Sequence, residues 1–461
     1  MTGVVNHLQQ PWLAGVFAPV ADELDARDLE VTGAIPPGLR GAYVRTGPNP
    51  RFEPIGRYHI FDGDGMLHSV QLADGRASYR NRWIRSAGLA AEERAGRALY
   101  GGMFEQVYPD ASEVGDAGAM KNTGNTHVVR HAGRMYALME AARPTRIDDD
   151  LSTVGEWDFD GRLRTSCTAH PKLDPETGEM LFFGYLPRLT YHVVDATGAL
   201  VRSVPIETAH PTMMHDFVTT REHVVFLDSP AVMDFASFFD GGPLASWRPD
   251  LGTRVGVMPR DGDTGDVRWF DVDNTWVAHF LNGYEDGDGA IVVDGCAMDE
   301  FNFGLAPDGR AAAAEGVLSR IRIDLGTGTV TREALDDRVG DFPRINDARN
   351  GLPNRFGYVA WYAGDTTDDG FDALVKYDLR TGASEEFVFP GCTVGEFAFA
   401  ADPSGTAEDD GWLLGFVHNR DASASDLCVF DALAVSAGPI ARVHMPRRVP
   451  FGFHGNWFAE R

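Results

Sequence analysis

The segment DPETGEMLFFGY, residues 174–185, reads as a tight turn followed by an apolar strand, and the same design recurs along the chain. VVDATGALVRSV (193–204), IDLGTGTVTREA (323–334) and YDLRTGASEEFVF (377–389) each place an apolar strand end, an Asp shortly before Thr-Gly, and a second strand in that order. The glycine supplies positive φ at the turn, while Asp or Thr bonds the local backbone. DGDTGDVRWFDV (261–272) fits the same scheme. Hairpins repeated with few helical stretches between them predict an all-β closed architecture, and a propeller accommodates so many strands by radial repetition. No strict repeat marks the blade number.

Two segments break this pattern. AGLAAEERAGRALYGGM (87–103) has the Ala/Glu/Arg composition of a helix. AVMDFASFFD (231–240) is apolar and aromatic and reads as either helix or strand. Such insertions in a β scaffold form caps over functional cavities, although core packing explains Phe235, Phe238 and Phe239 equally well. The Asp/Gly runs at 62–65, 285–289 and 365–370 lack the full spacing of a calcium loop and read as turns. No linker or low-complexity segment divides the 461 residues, so residues 1–461 are expected to form a single domain.

The bulk properties exclude several functions. With 41 basic against 68 acidic residues, the formal net charge is −27, a surface that repels phosphate backbones and argues against a nucleic-acid partner. Cys167, Cys296, Cys392 and Cys428 lie far apart and are expected to be reduced thiols. The start MTGVVNHLQQ shows no charged region followed by an apolar one, and no apolar run approaches the ~20 residues of a membrane span. The cytoplasm is the expected compartment. An apolar patch could still give weak peripheral membrane contact, which depends on buried area more than on charge.

Four of the fourteen histidines stand out. His170, His215, His279 and His454 each end an apolar or aromatic run, where a strand would deliver them toward a common axis. Their wide separation excludes the local His-x-x-x-His of a helix-borne zinc site. It suits a propeller, although isolated histidines at strand ends are also common.

The wording of the surrounding motifs carries more. GAYVRTGPNPRF (41–52), FDGDGMLHSV (61–70), TAHPKLDPETGEM (168–180), TRVGVMPRDG (253–262), EDDGWLL (408–414) and FGFHGNW (451–457) closely resemble the carotenoid cleavage oxygenase family, in the family's order. The resemblance runs from about Pro19 to the C-terminus. It implies a seven-bladed β-propeller with a helix and loop cap, and one Fe(II) per chain held on the axis by His170, His215, His279 and His454. It also implies carboxylates behind three of them: Glu140 behind His215, Asp341 behind His279 and Glu396 behind His454. Asp341 departs from the family's usual Glu, so its contact must be closer or run through water. Thr126, in GNTHVV, aligns with a position that crowds the vacant metal face, and a strand threonine in the core is an equal reading.

The implied reaction is cleavage of a conjugated C=C bond with O2, giving aldehyde or ketone products. Neutral imidazoles suit Fe(II) and leave positions for dioxygen. The family's stilbenoid-cleaving branch recognises a phenol with a Lys immediately before the conserved Glu and a Tyr after the cap helix. Here those positions hold Met139 and Met103, which would line an apolar tunnel together with Phe235. A carotenoid or apocarotenoid is therefore the preferred substrate. A stilbenoid or phenylpropanoid substrate and isomerohydrolase activity stay open, as does a propeller that binds an apolar ligand without catalysis.

Overall fold

The computed structural model describes residues 10–302, 316–364 and 370–460. The Asp/Gly run at 365–370 falls almost entirely outside them, as does His7. The described chain is dominated by antiparallel β-sheet.

The hairpins form where the turn motif predicts them. Between strands Lys172–Leu173 and Met180–Gly184, Asp174 Oδ1 accepts from the N–H groups of Glu176 and Thr177 at 2.7 and 2.8 Å, and Gly178 sits at φ +72°. Asp195 bonds Thr197 and Ala199 in the same way, with Gly198 at φ +91°. Asp324 with Gly328 and Asp378 with Gly382 repeat the device. Any side chain at these glycines would strain the left-handed backbone. The 261–272 segment differs in its turn. Strands Thr253–Pro259 and Arg268–Val272 do pair, but a 3-10 turn, Thr264–Asp266, joins them. It is closed when Asp263 N–H donates to Asp266 Oδ2.

Among the described residues, six larger sheets contain four to seven strands each. The seven-stranded sheet consists of two ladders that share one long strand, Thr329–Arg344. The chain ends stitch early strands to late ones: Val31–Gly33 pairs with Ala441–His444, and Gly455–Ala459 with Gly41–Pro48. The core lies between neighbouring sheets and is rich in fully buried aromatics, including Tyr43, Tyr191, Phe182, Phe217 and Phe397. Burial of each such side chain stabilises by ~1.5–3 kcal/mol, so these inter-sheet seams fix how the sheets face one another.

The two irregular segments resolve differently. Ala87–Ala95 is an α-helix, started by Ser86 Oγ accepting from Leu89 N–H and stopped by Gly96 at φ +69°. Leu89 packs on Met66 and Trp83. In the second segment both readings hold in turn: Ala231–Met233 is a strand paired with Ala245–Trp247, and a short helix, Phe235–Phe239, lies between them. Phe238 is buried, Phe235 packs against the core beside Met233, and Phe239 is 54% exposed. All four cysteines are unpaired, and only Cys392 is not fully buried.

Candidate metal centre

The four histidines enter from four different sheets. His170 precedes strand Lys172–Leu173, His215 precedes Val218–Thr219, and His454 precedes Gly455–Ala459. His279 lies within Trp276–Glu285, where the register with Ala290–Met298 shifts between Val277 and Phe280. A bulge of this kind re-aims a side chain without ending the strand. The result is a single cluster, with one ring nitrogen of each histidine within 4.8 Å of all the others. Nε2 of His170 lies 2.9 Å from Nε2 of His215, which lies 3.2 Å from Nε2 of His279. Imidazoles bound side by side to one ion at about 2.1 Å have their nitrogens about 3 Å apart, so the spacing suits a metal. Neighbouring rings stand edge to face, at 67–87° around His170.

Carboxylates fix the ring orientation. Asp341 Oδ1 and Glu396 Oε1 each accept from Nδ1–H of their histidine at 2.9 Å, His279 and His454 respectively. Glu140 Oε2 is also 2.9 Å from Nδ1 of His215, but off the line of the N–H, so this contact is a charge pair more than an aligned hydrogen bond. With the proton held on Nδ1, each Nε2 presents its lone pair to the centre. Among the described residues no carboxylate pairs with His170.

The electrostatics follow from burial and these partners. Burial holds His170 well below the usual histidine range, and the nearby His454, His215 and His279 add to the effect. Burial likewise lowers His454 to about 4, outweighing Glu396. His215 goes the other way: burial opposes its protonation, but the Glu140 charge raises it overall. Glu396 is pushed up by burial, yet Arg344 at 3.2 Å and His454 hold it well below the carboxylate range. All four histidines are thus either held neutral by burial or paired with a carboxylate, a set that suits a borderline dication.

One irregularity builds much of this side of the centre. Strand Thr329–Arg344 loses register with Phe356–Trp361 between Asp341 and Arg344, and Phe342 adopts φ +56°, a strained value for an aromatic residue. The distortion directs Asp341 to His279, lays the Phe342 ring on His279 at 5.4 Å and 28°, and points Arg344 at Glu396. The Phe342 ring also meets His454 edge-on at 5.2 Å.

The remaining expected residues lie at varied distances from this cluster. Thr126 is joined to His454 through the backbone, its carbonyl accepting from His454 N–H at 3.0 Å, while its hydroxyl donates to Asn125 Oδ1. Met139 is half-buried and adjoins Glu140 in sequence. Met103 is half-buried, with its N–H on Asp62 Oδ1 at 3.0 Å. A cavity of about 400 Å³ reaches His170, His279 and His454, but Met139, Met103, Phe235 and Thr126 do not line it. Its walls mix the charged Lys172, Asp216, Arg344 and Asp347 with apolar side chains such as Phe280, Phe342 and Ile345.

Several residues that position the cluster are not distinguished by the motifs that contain or flank them. Thr168 Oγ1 accepts from His170 N–H and donates to the His215 carbonyl, both at 3.2 Å. Asp216 accepts from Phe280 N–H at 2.9 Å and pairs with Lys172 at 2.7 Å, tying the His215 loop to the His279 strand. His127, a buried fifth histidine, packs 5.6 Å from His170 and 5.3 Å from His454. Its place in the strand His127–His131, with no aromatic run before it, offered nothing to distinguish it.

Comparison with known proteins agrees with this geometry. The family model described as RPE65, retinal pigment epithelial membrane protein, matches residues 17–459. A carotenoid cleavage oxygenase of Mycobacterium tuberculosis is 37% identical over 503 residues, covering 97% of each chain. A carotenoid 9,10(9',10')-cleavage dioxygenase of Phaseolus vulgaris is 34% identical, covering 99% of this chain and 90% of the other. The crystal structure of a Pseudomonas brassicacearum lignostilbene dioxygenase superposes with a TM-score of 0.90 at 31% identity, over 98% of this chain and 99% of that one. The chain therefore belongs to the carotenoid cleavage oxygenase family.

Proposed function

We propose that His170, His215, His279 and His454 hold one iron(II), and that the protein cleaves a conjugated double bond of a carotenoid or apocarotenoid with O2. The dioxygenase class follows from family membership. The observation that carries the metal assignment is the convergence of one ring nitrogen from each of the four histidines, with a carboxylate beside Nδ1 of three of the rings. Iron(II), when bound there, supplies the site at which dioxygen is activated.

The protein's own part is positional and electrostatic. Glu140, Asp341 and Glu396 keep the Nδ1 protons in place, orient the rings and raise their basicity. Their negative charge offsets a buried dication that neutral ligands alone would leave uncompensated. Thr126, next to His454, is assigned the role of crowding the open metal face and restricting what binds there. Met139, Met103 and Phe235 are assigned to an apolar tunnel that selects the scissile bond. A polyene offers almost nothing to hydrogen-bond, so shape decides, and one CH2 of misfit is worth only ~1–3 kcal/mol.

The same reading makes residues 1–461 one seven-bladed propeller domain. Its support is the sheet pattern: the six larger sheets, with the shared-strand sheet divided into two ladders, give seven units. Each unit lends one member of the centre. His454, Glu140, His170, His215, His279, Asp341 and Glu396 each lie in or beside a different one of these units. The helices Ala87–Ala95 and Ala111–Val114 and the ribbon Ala231–Trp247 form the proposed cap. Exposed Tyr108 and Phe239, 5.9 Å apart, support weak contact with a membrane that holds the substrate. No helix of the described residues is long and apolar enough to cross one. The net charge of −27 opposes a nucleic-acid partner, and the cytoplasm is the proposed compartment.

Stilbenoid cleavage is the second reading, favoured by the similarity to a lignostilbene dioxygenase. Incubation with apocarotenals and with hydroxylated stilbenes, each with and without O2, separates the two. The expected product is a shortened aldehyde from the apocarotenal, formed only with O2. Turnover of the stilbenes alone would reverse the choice of substrate.

A further inference from the structure

Among the described residues His170 has no carboxylate behind it, yet it stands in the same tight cluster as three histidines that do. A continuous polar chain reaches it from the far side of the centre. It begins at Glu396, whose Oε1 accepts from His454 and whose Oε2 accepts from Gly455 N–H at 2.9 Å. Arg344 Nη1 lies 3.2 Å from that Oε2 and donates to the Gly455 carbonyl at 3.0 Å. Arg344 Nη2 donates to Asn456 Oδ1 at 2.7 Å. This contact sets the amide so that Asn456 Nδ2 donates to His127 Nε2 at 3.0 Å and to the Val128 carbonyl at 2.8 Å. His127 Nδ1 then donates to the Ala169 carbonyl at 2.8 Å, one residue before His170. A carbonyl can only accept, so His127 carries its proton on Nδ1 and uses Nε2 as the acceptor.

We infer that Arg344 is a positioning residue for the metal centre. It clamps Glu396 behind His454 directly and, through Asn456 and His127, fixes the backbone that presents His170. The guanidinium is suited to this because its planar fork engages a carboxylate, a carbonyl and an amide oxygen at once in a set geometry. A lysine would offer a point charge in place of that fork. His127, although close to two of the ligating histidines, is not a fifth ligand in this arrangement: Asn456 occupies its Nε2 and Ala169 takes its Nδ1 proton. Its role is to hold His170 from behind through the main chain, as the carboxylates hold the other three through their rings. Outer partners of metal ligands typically contribute 10–100-fold to metal affinity.

This inference rests on the metal assignment above, and cobalt(II) binding distinguishes the two. Metal-free full-length protein is titrated with cobalt(II) alone, following the visible absorption bands of the bound ion. The wild type, His215→Ala, Arg344→Lys and Asn456→Ala are compared, and the melting temperature of each metal-free form is recorded. Wild-type binding together with its loss in His215→Ala upholds the metal assignment. An absence of binding by the wild type, or equal binding by His215→Ala, overturns that assignment and this inference with it. Given the assignment, Asn456→Ala and Arg344→Lys are expected to weaken cobalt(II) by 10–100-fold and about tenfold, with shifted absorption bands. A cobalt(II) affinity within twofold of wild type and unshifted bands in both variants would overturn the inference, whatever the melting temperatures. Asn456 is partly exposed and does not depend on burying a new charge, so it carries the test if Arg344→Lys fails to fold.

Discussion

Asp341 Oδ1 stands 2.9 Å from Nδ1 of His279, the same separation at which Glu396 Oε1 stands from Nδ1 of His454, although the aspartate is one methylene shorter. The contact is direct and needs no bridging water. The backbone makes up the difference: the register break after Asp341 and the positive φ of Phe342 bring the main chain toward the cluster. Asp341→Asn keeps the size and loses the charge, and is expected to lower iron(II) affinity by 10–100-fold. Asp341→Glu adds a methylene that this shortened approach does not accommodate, and is expected to cost about tenfold. Metal titration of both variants checks this. A glutamate variant that binds iron more tightly than wild type would show that the backbone has not adapted to aspartate.

Met139 adjoins Glu140, where the stilbenoid-cleaving branch carries a phenol-binding lysine. A hydrogen bond to a charged group contributes ~1.5–3 kcal/mol, about ten- to a hundredfold in rate. Met139→Lys is therefore expected to raise kcat/KM for a hydroxylated stilbene by that order and to depress turnover of an apocarotenal. Competition assays with both substrates measure the shift. No change in the ratio would contradict the proposed place of Met139 in a substrate tunnel.

Acid stability should be governed by buried neutral histidines remote from the centre. Burial lowers His192 to about 4 and His418 to about 3, against 6.5 for a free histidine. His192 lies between the Thr165 and Ser203 hydroxyls, and His418 bonds Ser425, so neither has a carboxylate to stabilise its charge. Between pH 6.5 and about 4 the unfolded chain binds more protons than the folded one, so stability is present above 6.5 and falls as pH drops. At about 1.4 kcal/mol per pH unit and group, each costs roughly 2 kcal/mol by pH 5. Thermal melts from pH 7.5 to 5 should show a steep decline that His192→Gln makes shallower. A melting temperature that stays level over this range would contradict the assignment of neutral histidines.

Much of this was legible in the sequence, and for local reasons. Asp174, Asp195, Asp324 and Asp378 each bond their own turn, so the hairpins can be read without knowing what they pair with. The four histidines and three carboxylates were carried by short motifs around them. Arg344, Asn456 and His127 lie within GDFPRIN, FGFHGNW and GNTHVV, but their roles were not legible there, because they depend on the meeting of strands more than 100 residues apart. The bulge at Phe342 is invisible for the same reason: nothing in GDFPRIN marks a positive φ on a phenylalanine. Nor could residue types foretell that the cavity beside the cluster is lined by charged groups contributed by several different sheets.

The most direct test of the central claim is the iron content of the protein reconstituted anaerobically with iron(II) and freed of excess metal. One iron per chain is expected in the wild type, and less than about a tenth of that in His215→Ala, where both a ligand and the partner of Glu140 are removed. Iron-free wild type, or full occupancy in the variant, would contradict the four-histidine centre.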